Sequence, residues 1–106
     1  MKKPNPLSLS FMRDAPAGKR GKTERNFWTV ASSGDYAADV ETGFRYAQEA
    51  LAAMREHRMP VMLNWIVRDM IAAGQFGGIE VGFLEVIGQA ATHSLAHRPQ
   101  PAQPPN

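Results

Sequence analysis

A chain of 106 residues holds one domain at most, and the absence of cysteine removes disulfides and thiolate metal sites as sources of stability. No run approaches the roughly 18–20 apolar residues that cross a bilayer, and Pro4, Pro6 and alternating serines stand where a signal peptide needs an apolar block; the sequence therefore reads as cytoplasmic with no membrane contact. The net charge of +2 is unevenly spread: residues 1–26 hold seven Lys or Arg against Asp14 and Glu24, while the remainder holds five against eight carboxylates.

This asymmetry divides the chain into a basic flexible arm (1–25), a helical domain (26–93) and a proline-rich disordered tail (94–106), whose end reads HRPQPAQPPN. A foldable part of roughly 70 residues is marginal alone, so self-association or docking on a partner is expected, with a homo-oligomer as the default.

Taken in chain order, Leu7-Ser8-Leu9-Ser10-Phe11 alternates apolar and polar, and Asn26–Ala31 is aromatic and β-branched. Both predict extended segments, which pair as a hairpin across a basic loop only if they lie on the helices. Ser32-Ser33-Gly34-Asp35 offers oxygens to cap a helix start. Tyr36, Val40, Phe44, Ala47, Leu51 and Met54 then recur at steps of three and four, predicting a helix over 35–57 with those residues facing the core and Asp39, Glu41, Arg45 and Glu49 around the rest. His57-Arg58-Met59-Pro60 ends it, since proline turns the preceding residue away from helix. A second helix opens at Pro60 and is apolar nearly all round, broken by Asn64, Arg68 and Asp69, so it is expected to be central or to face another subunit. Gly74 suits a left-handed cap. Residues 79–91 carry competing patterns, alternation at Ile79, Val81 and Phe83 against helical spacing of Ile79, Phe83 and Ile87; the composition favours a third helix, weakened by Gly82 and Gly88. The expected fold is mainly α, a three-helix domain with an N-terminal extended segment or β-hairpin.

Chemistry-bearing motifs are few. Gly21-Lys22-Thr23 resembles the end of a phosphate loop, but Pro16 replaces the required leading glycine and no parallel sheet can follow. As a polycation, Lys19, Arg20, Lys22 and Arg25 are candidates for phosphate or acidic-protein contact, with a solvated loop as the plain alternative. Phe27 and Trp28 suit base stacking or, more simply, burial in the core. His93 and His97 lie four apart, but Ser94 follows His93 where a zinc protease has glutamate, and no third ligand stands near, so no metal site is expected. Glu80 and Glu85 flank a glycine-rich turn without a visible catalytic pair, and Ser32 and Ser33 read as caps rather than nucleophiles. No catalytic residue and no cofactor is expected.

The leading expectation is a non-enzymatic binding module, oligomeric, whose basic arm contacts nucleic acid or an acidic partner. The alternative is a protein-interaction inhibitor or adaptor working through the apolar second helix and the Phe76–Phe83 region. Trp65, Arg68, Asp69 and Phe76 are the interface residues expected for a protein partner.

Overall fold

A computed structural model of the chain describes residues 8–15 and 24–97. Two short strands, β1 (Arg13–Ala15) and β2 (Glu24–Asn26), precede three helices, α1 (Tyr36–His57), α2 (Val61–Ala73) and α3 (Gly78–His97). The fold is mainly helical, and the ambiguous 79–91 segment is helix, continuing past residue 93.

The strands pair antiparallel, with Arg13 opposite Asn26, Asp14 opposite Arg25 and Ala15 opposite Glu24. Sequence alternation placed the pairing elsewhere, at Leu7–Phe11 and Asn26–Ala31. Leu9 and Phe11 are instead buried beside a turn, where the Met12 amide donates to the Leu9 carbonyl at 2.9 Å. The Thr29 amide donates to the Phe11 carbonyl at 2.7 Å, carrying the antiparallel contact just past the strands. Apolar residues in this stretch serve the core rather than a sheet face. The core accordingly draws on Leu9, Phe11 and Met12, which precede the expected start of the helical domain at residue 26.

The caps expected at Asp35 and Gly74 form, whereas the Ser32 and Ser33 hydroxyls serve the turn before α1 and Asp39 instead. Asp35 accepts from the amides of Ala37 and Ala38 at the start of α1. At its end Arg58 adopts a left-handed conformation (φ 50°), and the Met59 amide donates to the Met54 carbonyl at 2.9 Å, a Schellman closure. Gly74 closes α2 with φ 73°.

The face that α1 buries is not the one its large residues mark. Asp39, Gly43, Ala47, Ala50 and Ala53 are buried, whereas Tyr36 is 62% exposed and Val40, Phe44, Leu51 and Met54 are only half-buried. The reason is a close, parallel crossing with α3. A methyl group on Gly43 would collide with the Ile79 carbonyl and approach the Phe83 amide to 2.7 Å, and one on Gly82 would collide with the Val40 carbonyl. Small residues let two helix backbones touch, so the small face becomes the inner face and Ala47 alone is shared by the two patterns.

Above this crossing sit four aromatic rings from separate elements. Phe11 lies 5.3 Å from Trp28, 5.9 Å from Phe83 and 5.1 Å from Tyr46, and Trp28 meets Phe83 edge-on at 4.9 Å. Each large ring contributes several kcal/mol of apolar burial, on the order of 25 cal/mol per Å². α2 completes the core through Met62, Ile66 and Met70, long side chains that reach from one face. Of the two positions expected for α2, central or facing another subunit, the first is not met within the chain: Val61, Asn64, Arg68 and Ile71 are exposed, and Asn64 and Arg68 form part of a solvent-facing strip.

Candidate functional site

Three surface features bear on function: the foot of the β-hairpin, a cleft between the helix starts, and the seam between α2 and α3.

The hairpin foot is fastened from several directions. The Ser10 amide and hydroxyl both donate to Glu49 Oε1 on α1, at 3.0 and 2.8 Å. Arg13 donates to the carbonyls of Ser10 and Met12, bracing its own turn. Arg25 reaches the Ser8 hydroxyl at 3.5 Å. Just past β2 the Phe27 amide donates to Asp69 Oδ2 on α2 at 2.8 Å, and the Phe27 ring packs 5.3 Å from Trp65. Residues 16–23 link the paired strands; Lys19, Arg20 and Lys22 belong to this link and lie outside the described residues. Arg25 stands in β2, opposite Asp14 in the register.

Phe27 and Trp28, candidates for base stacking by sequence, are both buried, and Trp28 is only 2% exposed. The Trp28 indole N–H donates to Glu80 Oε2 at 2.8 Å. Glu80 also accepts the Gly77 amide through Oε1 at 2.8 Å, reaching back from the first turn of α3 to the residue before the helix, the reciprocal half of a capping box.

Glu80 shares a cleft of about 250 Å³ with Asp39, lined further by Val30, Ser32 and residues 75–79. Spacing puts Asp39 on the solvent side of α1, yet only 4% of it is exposed. Its oxygens accept from the Ser32 hydroxyl (2.6 Å), the Ser33 hydroxyl (2.7 Å) and the Ser33 amide (3.0 Å). The two serine hydroxyls, with the Ser33 amide, hold its carboxyl below the ordinary carboxylate range against the opposing effect of burial. The signal in the sequence was present, two serines ahead of a helix that carries aspartate in its first turn, but the hydroxyls bind Asp39 as well as the local turn. Both carboxylates thus anchor the 27–35 segment and the turn before α3. Glu85, paired with Glu80 in the sequence reading, is exposed and does not line this cleft.

Of the four residues expected to form a protein interface, Trp65, Arg68 and Asp69 are neighbours on α2 and Phe76 lies beyond its end. Trp65 and Asp69 hold Phe27, Arg68 is exposed and pairs with Asp69 at 3.2 Å, and Phe76 stands 66% exposed beyond the end of α2. Phe83, at the far end of the proposed Phe76–Phe83 region, is fully buried. Apolar surface also lies along the seam between α2 and α3, which α1 borders at one end. One depression of about 410 Å³ is lined by Val67, Met70, Ile71, Phe76 and Leu84 among others, and a second of about 330 Å³ by Leu51, Met54, Leu63, Ile87 and Ala91 among others.

Among the described residues no cluster of three or more metal-ligating side chains is present, and no helix is long and apolar enough to cross a membrane. α3 spans both His93 and His97, and His93 is exposed. Compared with known proteins, the chain matches no protein-family model, no curated protein and no solved structure.

Proposed function

We propose that this chain is a small non-enzymatic binding module, cytoplasmic in setting, whose basic hairpin link contacts the phosphates of nucleic acid. One observation carries the reading: the antiparallel pairing of Arg13–Ala15 with Glu24–Asn26 turns the Lys- and Arg-rich residues 16–23 into the connection of a hairpin whose feet are anchored to α1 and α2. Cations gathered on a short link between fixed points lose less freedom on binding than the same cations on a free terminus. The register sets Asp14 opposite Arg25, so that Lys19, Arg20 and Lys22 fall in sequence between the paired strands and Arg25 stands in β2 beside them. Burial of Phe27 and Trp28 favours contact with the phosphate backbone over stacking on bases. That the cleft carboxylates already accept from serine, indole and backbone donors supports a binding rather than a catalytic role.

Titration of random-sequence duplex DNA at increasing salt tests the reading. Four phosphate contacts give a slope of log affinity on log salt of about −3.6. Replacing Lys19, Arg20, Lys22 and Arg25 with glutamine is expected to abolish binding. Binding to a polyglutamate chain but not to DNA would move the assignment to an acidic protein partner, and no binding to either at low salt would end it.

A further inference from the structure

We infer that the α2–α3 seam is a two-fold interface with a second copy of this chain, in which Ile71 and Phe76 of each copy enter the depression lined by Leu63, Ile87 and Ala91 of the other. The inference stands on the apolar seam and is independent of the hairpin.

One depression is lined by the later part of α2 with Leu84, and the other by Pro60 and Leu63 with Ile87 and Ala91, where Leu51, Met54 and Arg55 of α1 border it. On α2, Pro60, Leu63, Val67, Ile71 and Gly74 recur at steps of three and four along one stripe, and Leu84, Ile87 and Ala91 do the same on α3. This stripe lies on a different side of α2 from Trp65 and Asp69, which hold Phe27 in the segment after the hairpin. At one end of the seam two large apolar side chains project, Ile71 at 74% and Phe76 at 66% exposure. At the other end the depression of about 330 Å³ lies open. A cavity of ~150 Å³ accepts a benzene ring, so the space suffices for a phenyl group.

Projection and recess on the same face of one molecule are what a two-fold contact requires, because each copy must offer both halves of the match. Turning one copy about an axis near Val67 lays the two α2 helices antiparallel and places each projecting end over the partner's recess. The polar lining obeys the same rule. Arg55 is the polar side chain at the recessed end and Gln75 at the projecting end, so a guanidinium donor would meet an amide oxygen acceptor at both ends of the contact. A different partner would need neither correspondence.

The area agrees. Ile71 and Phe76 expose about 250 Å² of apolar surface, and half-buried Leu51, Met54, Leu63, Val67, Leu84 and Ile87 raise this to about 500 Å². At the roughly 65% apolar share of homodimer interfaces this corresponds to ~800 Å² per partner, the size of a specific contact.

Sedimentation velocity of the full chain from about 1 to 200 μM tests the inference, a span that covers micromolar dissociation constants. The expected mass rises from 11.7 kDa toward twice that value with concentration. Phe76→Glu and Ala91→Glu, at exposed positions on the projecting and recessed ends, are each expected to raise the dissociation constant by about thirtyfold or more with helical circular dichroism unchanged. Substituting Ile71→Glu provides a second projecting-end variant should Phe76→Glu lose helicity. A monomer throughout the concentration range overturns the inference, and so does a dimer that survives substitution at either end.

Discussion

Asp39 fastens the 27–35 segment to the first helix, and its chemistry makes that fastening sensitive to acid. Ser32 and Ser33 donate to its charged form and hold its pKa below the ordinary value of about 3.9. The unfolded chain therefore takes up the proton first as pH falls. The stabilisation is full above the ordinary value and is lost as pH drops through the depressed one. The expected outcome is that Asp39→Asn is less stable than the parent chain at pH 7 in urea unfolding, with the difference shrinking below about pH 4. A constant difference down to pH 2 would show that shape, not charge, holds the segment. Spacing alone placed Asp39 outside because periodicity weighs large apolar residues, whereas what buries this side chain is a set of hydroxyl and amide donors from a loop seven and six residues upstream.

At the scale of elements, the parallel contact of α1 with α3 decides which faces are inside. Gly82 and Gly88 look equivalent in the sequence, each lowering helix propensity by about 1 kcal/mol. Their surroundings separate them: Gly82 abuts the Val40 carbonyl, while nothing lies within 4 Å of a methyl group added at Gly88. Gly88→Ala is expected to stabilise by about 1 kcal/mol, and Gly43→Ala to destabilise by about 3 kcal/mol because backbone cannot yield as a side chain can. Thermal or urea unfolding of both variants checks the pair of signs. The three helices, their caps at Asp35 and Gly74, and the break before Pro60 were legible because each rests on local chemistry. The inner face of α1 was not, since only the partner helix reveals that Gly43, Ala47, Ala50 and Ala53 form a docking track. The strand positions slipped for a related reason: Leu9 and Phe11 alternate as a strand would, but Phe11 is buried against Trp28, Tyr46 and Phe83, distant in sequence.

For the whole molecule, the hairpin foot and the apolar seam lie on opposite sides of α2. The hairpin foot is tied to α2 through Asp69 and Trp65, and the seam runs along Leu63, Val67 and Ile71. A two-fold contact along the seam would present two basic links in one particle, and their joint binding to one polyanion would exceed either alone through effective concentration. The charge division was readable from composition, as was the surplus of apolar residues in α2. Which of those residues remain outside was not, because Trp65 finds a partner in Phe27 from a distant segment while Ile71 stays exposed.

The most direct test of the account is a nuclear magnetic resonance titration of the isotopically labelled chain with a short duplex DNA at low salt. Amide shifts clustered within residues 13–26, with α2 and α3 unmoved, are the predicted result. Shifts centred on Ile71, Phe76 and Leu84, or none anywhere as duplex is added, would contradict it.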